Sequence, residues 1–338
     1  CPTRASLLTG LYPHHTGMGA MFTRHPNNEE GPYLGYINDQ CVTLAEVLKT
    51  AGYSTYMSGK WHVGEFEPQW PNHRGFDKYY GLISGAMNYF DISKAKQKGL
   101  ERVFVRDGIY YKPPNENFYA TDAFTDEALK FLKDHNDNTP FFLYLSYTAP
   151  HWPLHAWPED IEKYKGKYIE GWAKLRTERW ERQKDIGVVD SAWGISLQDP
   201  EAMDWEDVEN KERMELKMAI YAAQIERMDW NINKVIKSIE DKGEMDNTII
   251  MFLADNGACA EEGPLGFEAL GGWDGELGTK DSYASYGLSW SNASNTPFRL
   301  HKKWVHEGGI STPFIVRYPR IIKSNTITDQ VGHIMDIM

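Results

Sequence analysis

Two short segments constrain the fold more than anything else in this chain. Residues 141–147 (FFLYLSY) and 248–254 (TIIMFLA) are apolar along almost their whole length and rich in aromatic or β-branched side chains. A strand without a polar face must be covered on both sides. That is the condition of a largely parallel sheet with helices over both faces. The helices are also legible. Residues 42–50 (VTLAEVLKT) predict a helix, with Thr43 and Glu46 spaced as a capping box and Gly52 as the stop. Residues 121–135 are amphipathic, with Leu129, Phe131 and Leu132 on one side. Residues 211–242 predict a long helix closed by Gly243, with Ile225, Met228, Ile232, Val235, Ile236 and Ile239 as its buried stripe. Residues 53–58 and 313–317 (PFIVR) predict two further strands. Two segments read differently. Residues 157–190, charged and Trp-rich, predict a helical insertion on the surface. Residues 263–295, rich in Gly, Ser and aromatics, predict a long loop or lid.

Composition narrows the partners. The 338 residues carry a formal net charge of −12, which argues against a nucleic-acid ligand. An anionic substrate must therefore be held by a few local cations. No apolar run is long enough to span a bilayer. The three cysteines, Cys1, Cys41 and Cys259, are too few and too scattered for a disulfide framework and lack zinc-site spacing.

In a sheet of this kind ligands bind beyond the carboxyl ends of the strands. Four polar segments fall there. Gly59-Lys60-Trp61-His62-Val63-Gly64 follows residues 53–58, and Thr148-Ala149-Pro150-His151 follows 141–147. Asp255-Asn256-Gly257 follows 248–254, and residues 302–309 (KKWVHEGG) precede 313–317. Asp255 and Asn256 are adjacent hard oxygen donors, better suited to calcium or magnesium than to zinc, although Asp-Asn-Gly is also an ordinary turn. Lys60 and Lys302 have no acidic partner nearby in sequence, which suits a bound oxyanion, while a solvated lysine is the commoner fate. His62 and His151 can serve as acid and base or as hydrogen-bonded structural residues. Arg4 can clamp an anion or pair with a carboxylate. A hard cation, lysines and histidines together describe a site for a tetrahedral anionic ester, sulfate or phosphate.

These residues fall in motifs that resemble the formylglycine-dependent sulfatases, and within them the bacterial arylsulfatase type. The family signature is Cys-x-Pro-x-Arg followed by a stretch ending Leu-Thr-Gly. Pro2, Thr3, Arg4 and Leu8-Thr9-Gly10 match its later part, and residues 11–17 (LYPHHTG) continue it. Residues 59–64 resemble the second signature. Ala149-Pro150-His151 with Pro153 resembles the third, and Asp255-Asn256-Gly257 the fourth. Residues 297–302 with His306-Glu307-Gly308-Gly309 resemble the fifth, and Gly75-Phe76-Asp77 also belongs. The match extends to residues 333–336 and so covers nearly the whole chain.

The resemblance implies an alkaline-phosphatase-like α/β fold, a large mixed, mostly parallel sheet sandwiched between helices. It implies one catalytic domain over residues 1–338, without the family's amino-terminal strand and smaller carboxyl-terminal subdomain. With Pro2 and Arg4 aligned, Cys1 occupies the variable position of the signature, and the formylglycine is expected at the residue preceding it. By the same resemblance, Asp255 and Asn256 would hold Ca2+, with Mg2+ as the alternative, and Arg4 would hold the hydrated aldehyde. Lys60, His151 and Lys302 would contact the sulfate, with His151 and Lys302 protonating the leaving oxygen. His62 would take the proton that returns the aldehyde. The implied activity is hydrolysis of a sulfate monoester of a small molecule or glycan, after maturation by a formylglycine-generating enzyme, in the periplasm or outside the cell. A phosphate or phosphonate ester hydrolase of the same superfamily and a non-catalytic anion-binding relic are the competing readings. Residues 157–190 and 263–295 are expected to shape the leaving-group pocket. Trp273, Tyr283, Tyr286 and Trp290 would either stack on a sugar or aryl ring or simply pack the loop.

Overall fold

The structure, a computed structural model, describes residues 1–21, 31–97, 99–114, 116–136 and 138–338. Its frame is a five-stranded sheet in the order β4-β3-β2-β1-β5. The strands are β1 (Ser54–Gly59), β2 (Lys78–Leu82), β3 (Phe104–Arg106), β4 (Ile109–Tyr110) and β5 (Phe141–Ser146). β1 pairs in parallel with both β2 and β5, and β3 and β4 add an antiparallel edge. The chain therefore has the expected α/β fold on a mixed sheet whose centre is parallel.

Alternation along the strands divides the core. Met57, Tyr79 and Val105 face one way and pack with Ala5 and Leu8 of α1 (Pro2–Thr9) and Ala45 of α2 (Leu44–Thr50). Tyr56, Tyr80, Leu82 and Phe104 face the other way and pack with Phe124 and Phe131 of α3 (Ala120–Lys133). The capping box of α2 forms as predicted. Thr43 Oγ1 accepts from Glu46 N–H, and the Glu46 carboxylate accepts from Thr43 N–H at 2.6 Å.

Behind α3 lies α6 (Lys211–Asp241), the long predicted helix. Its buried stripe differs from the expected one. Val235 and Ile239 are buried, but Ile225 is exposed, and the amino-terminal half contributes Met214, Met218, Ile220 and Ala223 instead. The cause is a second core that meets that half. Trp172 of α5 (Gly171–Asp185) packs edge-on against Trp205 and against Trp290 of α7 (Gly287–Ser294), with ring centroids 4.7 and 5.2 Å apart. Residues 157–190, with α4 (Pro158–Glu162) and α5, are thus anchored in a core and are not a purely surface insertion. Residues 263–286 are largely the long loop expected, but the segment ends in α7 and is no lid, since Tyr283, Tyr286 and Trp290 are buried. Buried rings cannot stack on a ligand, so these aromatics pack the interior. Trp273 is partly buried, and its indole N–H donates to Ala95 O at 2.8 Å.

β6 (Ile250–Leu253) also departs from expectation. It pairs antiparallel with β7 (Phe314–Arg317) as a separate two-stranded ribbon. Phe252, Phe314 and Ile315 are exposed. An apolar run predicts a strand but does not specify its neighbour.

Candidate active site

The polar segments meet where β1, β5 and β6 end. At the end of β1 the backbones touch. A Cβ on Gly59 would lie 2.0 Å from Ser146 O of β5, and the Gly59 φ of +118° is open only to glycine. Lys60 N–H donates to Ser146 O at 2.7 Å, and Ser146 Oγ donates to Lys60 O at 2.8 Å. This fixes where the Lys60 and His62 side chains start. Arg4, buried on the first turn of α1, donates to the same Lys60 O at 2.7 Å. Its Nε stands 3.9 Å from Asp255 Oδ2 beyond β6.

The Asp255 loop is held by close backbone approach. A Cβ on Gly257 would lie 1.7 Å from Gly308 O, and Gly257 N–H donates to Gly309 O at 3.1 Å. The glycine of Asp-Asn-Gly is therefore required by the neighbouring chain, not only by a turn. Asn295 ties this loop to the one that carries Lys302. Its Oδ1 accepts from Ala258 N–H at 2.9 Å, and its Nδ2 donates to Leu300 O at 2.8 Å. Lys302 N–H in turn donates to Ala258 O at 3.0 Å.

Three side-chain groupings result. His62 Nδ1 lies 2.8 Å from Cys1 Sγ. Arg4 faces Asp255. Lys302 Nζ stands 3.3 Å from His151 Nε2, 3.6 Å from Glu261 Oε1 and 3.8 Å from Cys259 Sγ. Lys302, which has no acidic partner nearby in sequence, gains one in space, because Glu261 reaches it across a chain separation that sequence inspection does not bridge. Glu261 is set by Trp152, whose indole N–H donates to Oε2 at 2.6 Å. Trp152, Cys259, Glu261 and Asn295 are the site residues that sequence reasoning missed.

Electrostatics joins the groupings. Burial, with the charges of Arg4 and Lys302 opposing Asp255, lowers the Lys60 ammonium to about 7. Burial and the cations around it hold both His62 and His151 well below the ordinary imidazole value, so both are neutral. His151 Nδ1 lies 2.8 Å from Trp152 O, a carbonyl that only accepts, so Nδ1 carries the hydrogen and Nε2 presents a lone pair to Lys302. Burial alone would raise the Asp255 carboxyl, but Arg4 and Lys60 outweigh it and hold it below its usual value.

The oxygen pair fits a hard cation. Asn256 Nδ2 donates to Gly257 O at 2.8 Å, which leaves the amide oxygen free of any donor among the described residues, next to an ionised carboxylate. Carboxylate and amide oxygens are the ligands calcium and magnesium take.

Comparison with known proteins agrees with this geometry. A family model described as Sulfatase matches residues 1–338. An uncharacterized sulfatase of Schizosaccharomyces pombe is 35% identical over 365 residues, covering 100% of this chain and 65% of that protein. The arylsulfatase of Klebsiella aerogenes is 30% identical over 347 residues, covering 99% of this chain and 74% of that protein. Among solved structures, Ps i-CgsB in complex with k-i-k-neocarrahexaose superposes with a TM-score of 0.65 at 25% identity, over 99% of this chain and 59% of that one. The chain thus spans about two thirds of the yeast relative and somewhat more of the bacterial one. With its motifs at the rim of the expected fold, and the family model matched from end to end, this chain belongs to the sulfatase family.

Proposed function

We propose that the protein hydrolyses a sulfate monoester to an alcohol and inorganic sulfate. One observation carries this reading. Arg4 stands 3.9 Å from Asp255, the neighbour of Asn256, and the charges of Arg4, Asp255 and Lys302 all act on Lys60 at one rim. Several cations around one hard-cation site suit a tetrahedral anion. The named relatives, a sulfatase and an arylsulfatase, favour a sulfate over a phosphate ester.

The protein groups divide the work. Lys60 and Lys302 bind and orient the anion. His151 has its Nδ1–H engaged by Trp152 O, so its Nε2 holds the Lys302 ammonium, and Lys302 delivers the proton toward the leaving oxygen. His62 is neutral and accepts a proton on the opposite grouping, beside Cys1. Arg4 offsets negative charge next to Asp255. A calcium ion held by Asp255 and Asn256, with magnesium as the alternative, would polarise a sulfate oxygen when bound. Formylglycine at the residue before Cys1, installed by a maturation enzyme, would supply the nucleophile. The alcohol is proposed to be a glycan or aryl hydroxyl. The name of the Klebsiella relative supports the aryl class and the oligosaccharide in Ps i-CgsB the glycan class. Among the described residues no helix is long and apolar enough to cross a membrane, which accords with the proposed periplasmic or extracellular location.

The test is release of inorganic sulfate by the full-length protein with calcium, together with mass spectrometry of the peptide ending at Arg4. Sulfate release with formylglycine in that peptide is expected. No release from the formylglycine-bearing protein, across aryl and glycan sulfates, would refute the proposal.

A further inference from the structure

The Lys302 grouping holds more than catalysis of ester cleavage needs. His151 Nε2, Cys259 Sγ and a Glu261 carboxylate oxygen all lie within 4.8 Å of one another. They are a nitrogen, a sulfur and an oxygen ligand, the set that zinc accepts and calcium does not. Lys302 Nζ stands between them, at 3.3, 3.8 and 3.6 Å respectively, so the cluster already cradles a cation. Two ligands are pre-set for a metal by one residue. Trp152 O fixes the His151 tautomer that leaves Nε2 bare, and the Trp152 indole N–H orients Glu261. Outer partners of this kind are what metal-binding histidines and carboxylates ordinarily have.

We propose that His151, Cys259 and Glu261 form a binding site for a soft divalent cation of the zinc class, and that this cation inhibits the enzyme by displacing the Lys302 ammonium. On binding, the Cys259 thiol gives its proton to solvent, its sulfur pair binds the metal, and Lys302 swings out with its charge unchanged. Three protein ligands leave a fourth position open to water or to the substrate's sulfate. The site is separate from the Asp255–Asn256 oxygen pair, and calcium there does not compete for it. The inhibitory part of the inference rests on the sulfatase reading above, whereas the metal site does not.

Titration of the full-length protein with Co2+, in the presence of calcium and without substrate, reads the site directly. A thiolate-to-cobalt charge-transfer band is expected in the near ultraviolet, and added Zn2+ should abolish it. Cys259→Ala should lack the band, as should Cys259→Ser, which keeps the size of the side chain. Trp152→Phe should weaken cobalt binding about 10- to 100-fold. In the ester assay, the Zn2+ concentration that halves each protein's own zinc-free rate should rise about tenfold or more in Cys259→Ala. No band, or a band that survives Cys259→Ala because the metal sits on Cys1 and His62, would overturn the site. A band without any sulfate release would leave the site standing and overturn the sulfatase reading instead.

Discussion

Lys302 shows how neighbours decide what a side chain can do. It lies 3.3 Å from a bare imidazole nitrogen and 3.6 Å from a carboxylate, so it is held in place and aimed. Lys302→Ala is therefore expected to lower kcat by about 10²–10³-fold with the fold intact, measured by steady-state ester hydrolysis. Lys60 differs because burial, with the nearby Arg4 charge, lowers it to about 7. Only its charged form attracts a sulfate ester, and that form is lost as pH rises through the folded-state value. kcat/KM is expected to fall above about pH 7, and Lys60→Arg, which stays charged, should remove that limb of the profile. A limb unchanged in Lys60→Arg would assign it to another group. All seven residues singled out from sequence, Arg4, Lys60, His62, His151, Asp255, Asn256 and Lys302, do reach the same rim. What sequence could not supply was their pairing. The Lys302–Glu261 contact spans a loop whose path no local pattern encodes, and Cys259 reads as one scattered cysteine until folding places it beside His151.

At the scale of elements, local signals were reliable and neighbours were not. The Thr43–Glu46 box follows from capping, α3 from its amphipathic period and β5 from its apolar run, signals that act within a few residues. The buried stripe of α6 did not follow. Its amino-terminal half faces a Trp core drawn from three separate segments, so Ile225 is exposed while Met214 and Met218 are covered. The same blind spot let 263–295 read as a long loop or lid to its end, since glycines and serines look like a loop whether or not Trp290 of α7 is buried among other tryptophans. Loop-to-loop ties are equally silent in sequence. Asn295 joins the Asp255 and Lys302 loops by two hydrogen bonds. Asn295→Ala is expected to reduce kcat by up to about 100-fold through misplacement of Lys302, with far-ultraviolet circular dichroism unchanged. Full activity in that variant would mean that the loops hold their places without the tie.

Over the whole molecule, His155 joins the sheet layer to the segment before α7. It is completely buried, its Nε2–H donates to Ser282 O at 2.8 Å, and its Nδ1 accepts from Tyr89 N–H at 3.3 Å. Burial lowers its folded value to about 4. An unfolded histidine titrates near 6.5, so the unfolded state takes up the proton first. Stability from this group is complete above about pH 6.5 and is lost as pH falls toward 4, by up to about 3 kcal/mol. Urea midpoints measured across that range should show the loss, and His155→Gln should flatten it. The alternation of strands and helices made the α/β class legible, whereas cover was not: β5 is half-buried and β6, read by the same rule, lies in an exposed ribbon, because cover is a property of neighbours. A sulfate-ester site is proposed at this rim. It is tested most directly by comparing kcat/KM for the sulfate and the phosphate ester of one phenol, with full-length, calcium-loaded protein. A clear preference for sulfate that disappears in Lys302→Ala is expected, and a preference for phosphate would refute a sulfate-ester site.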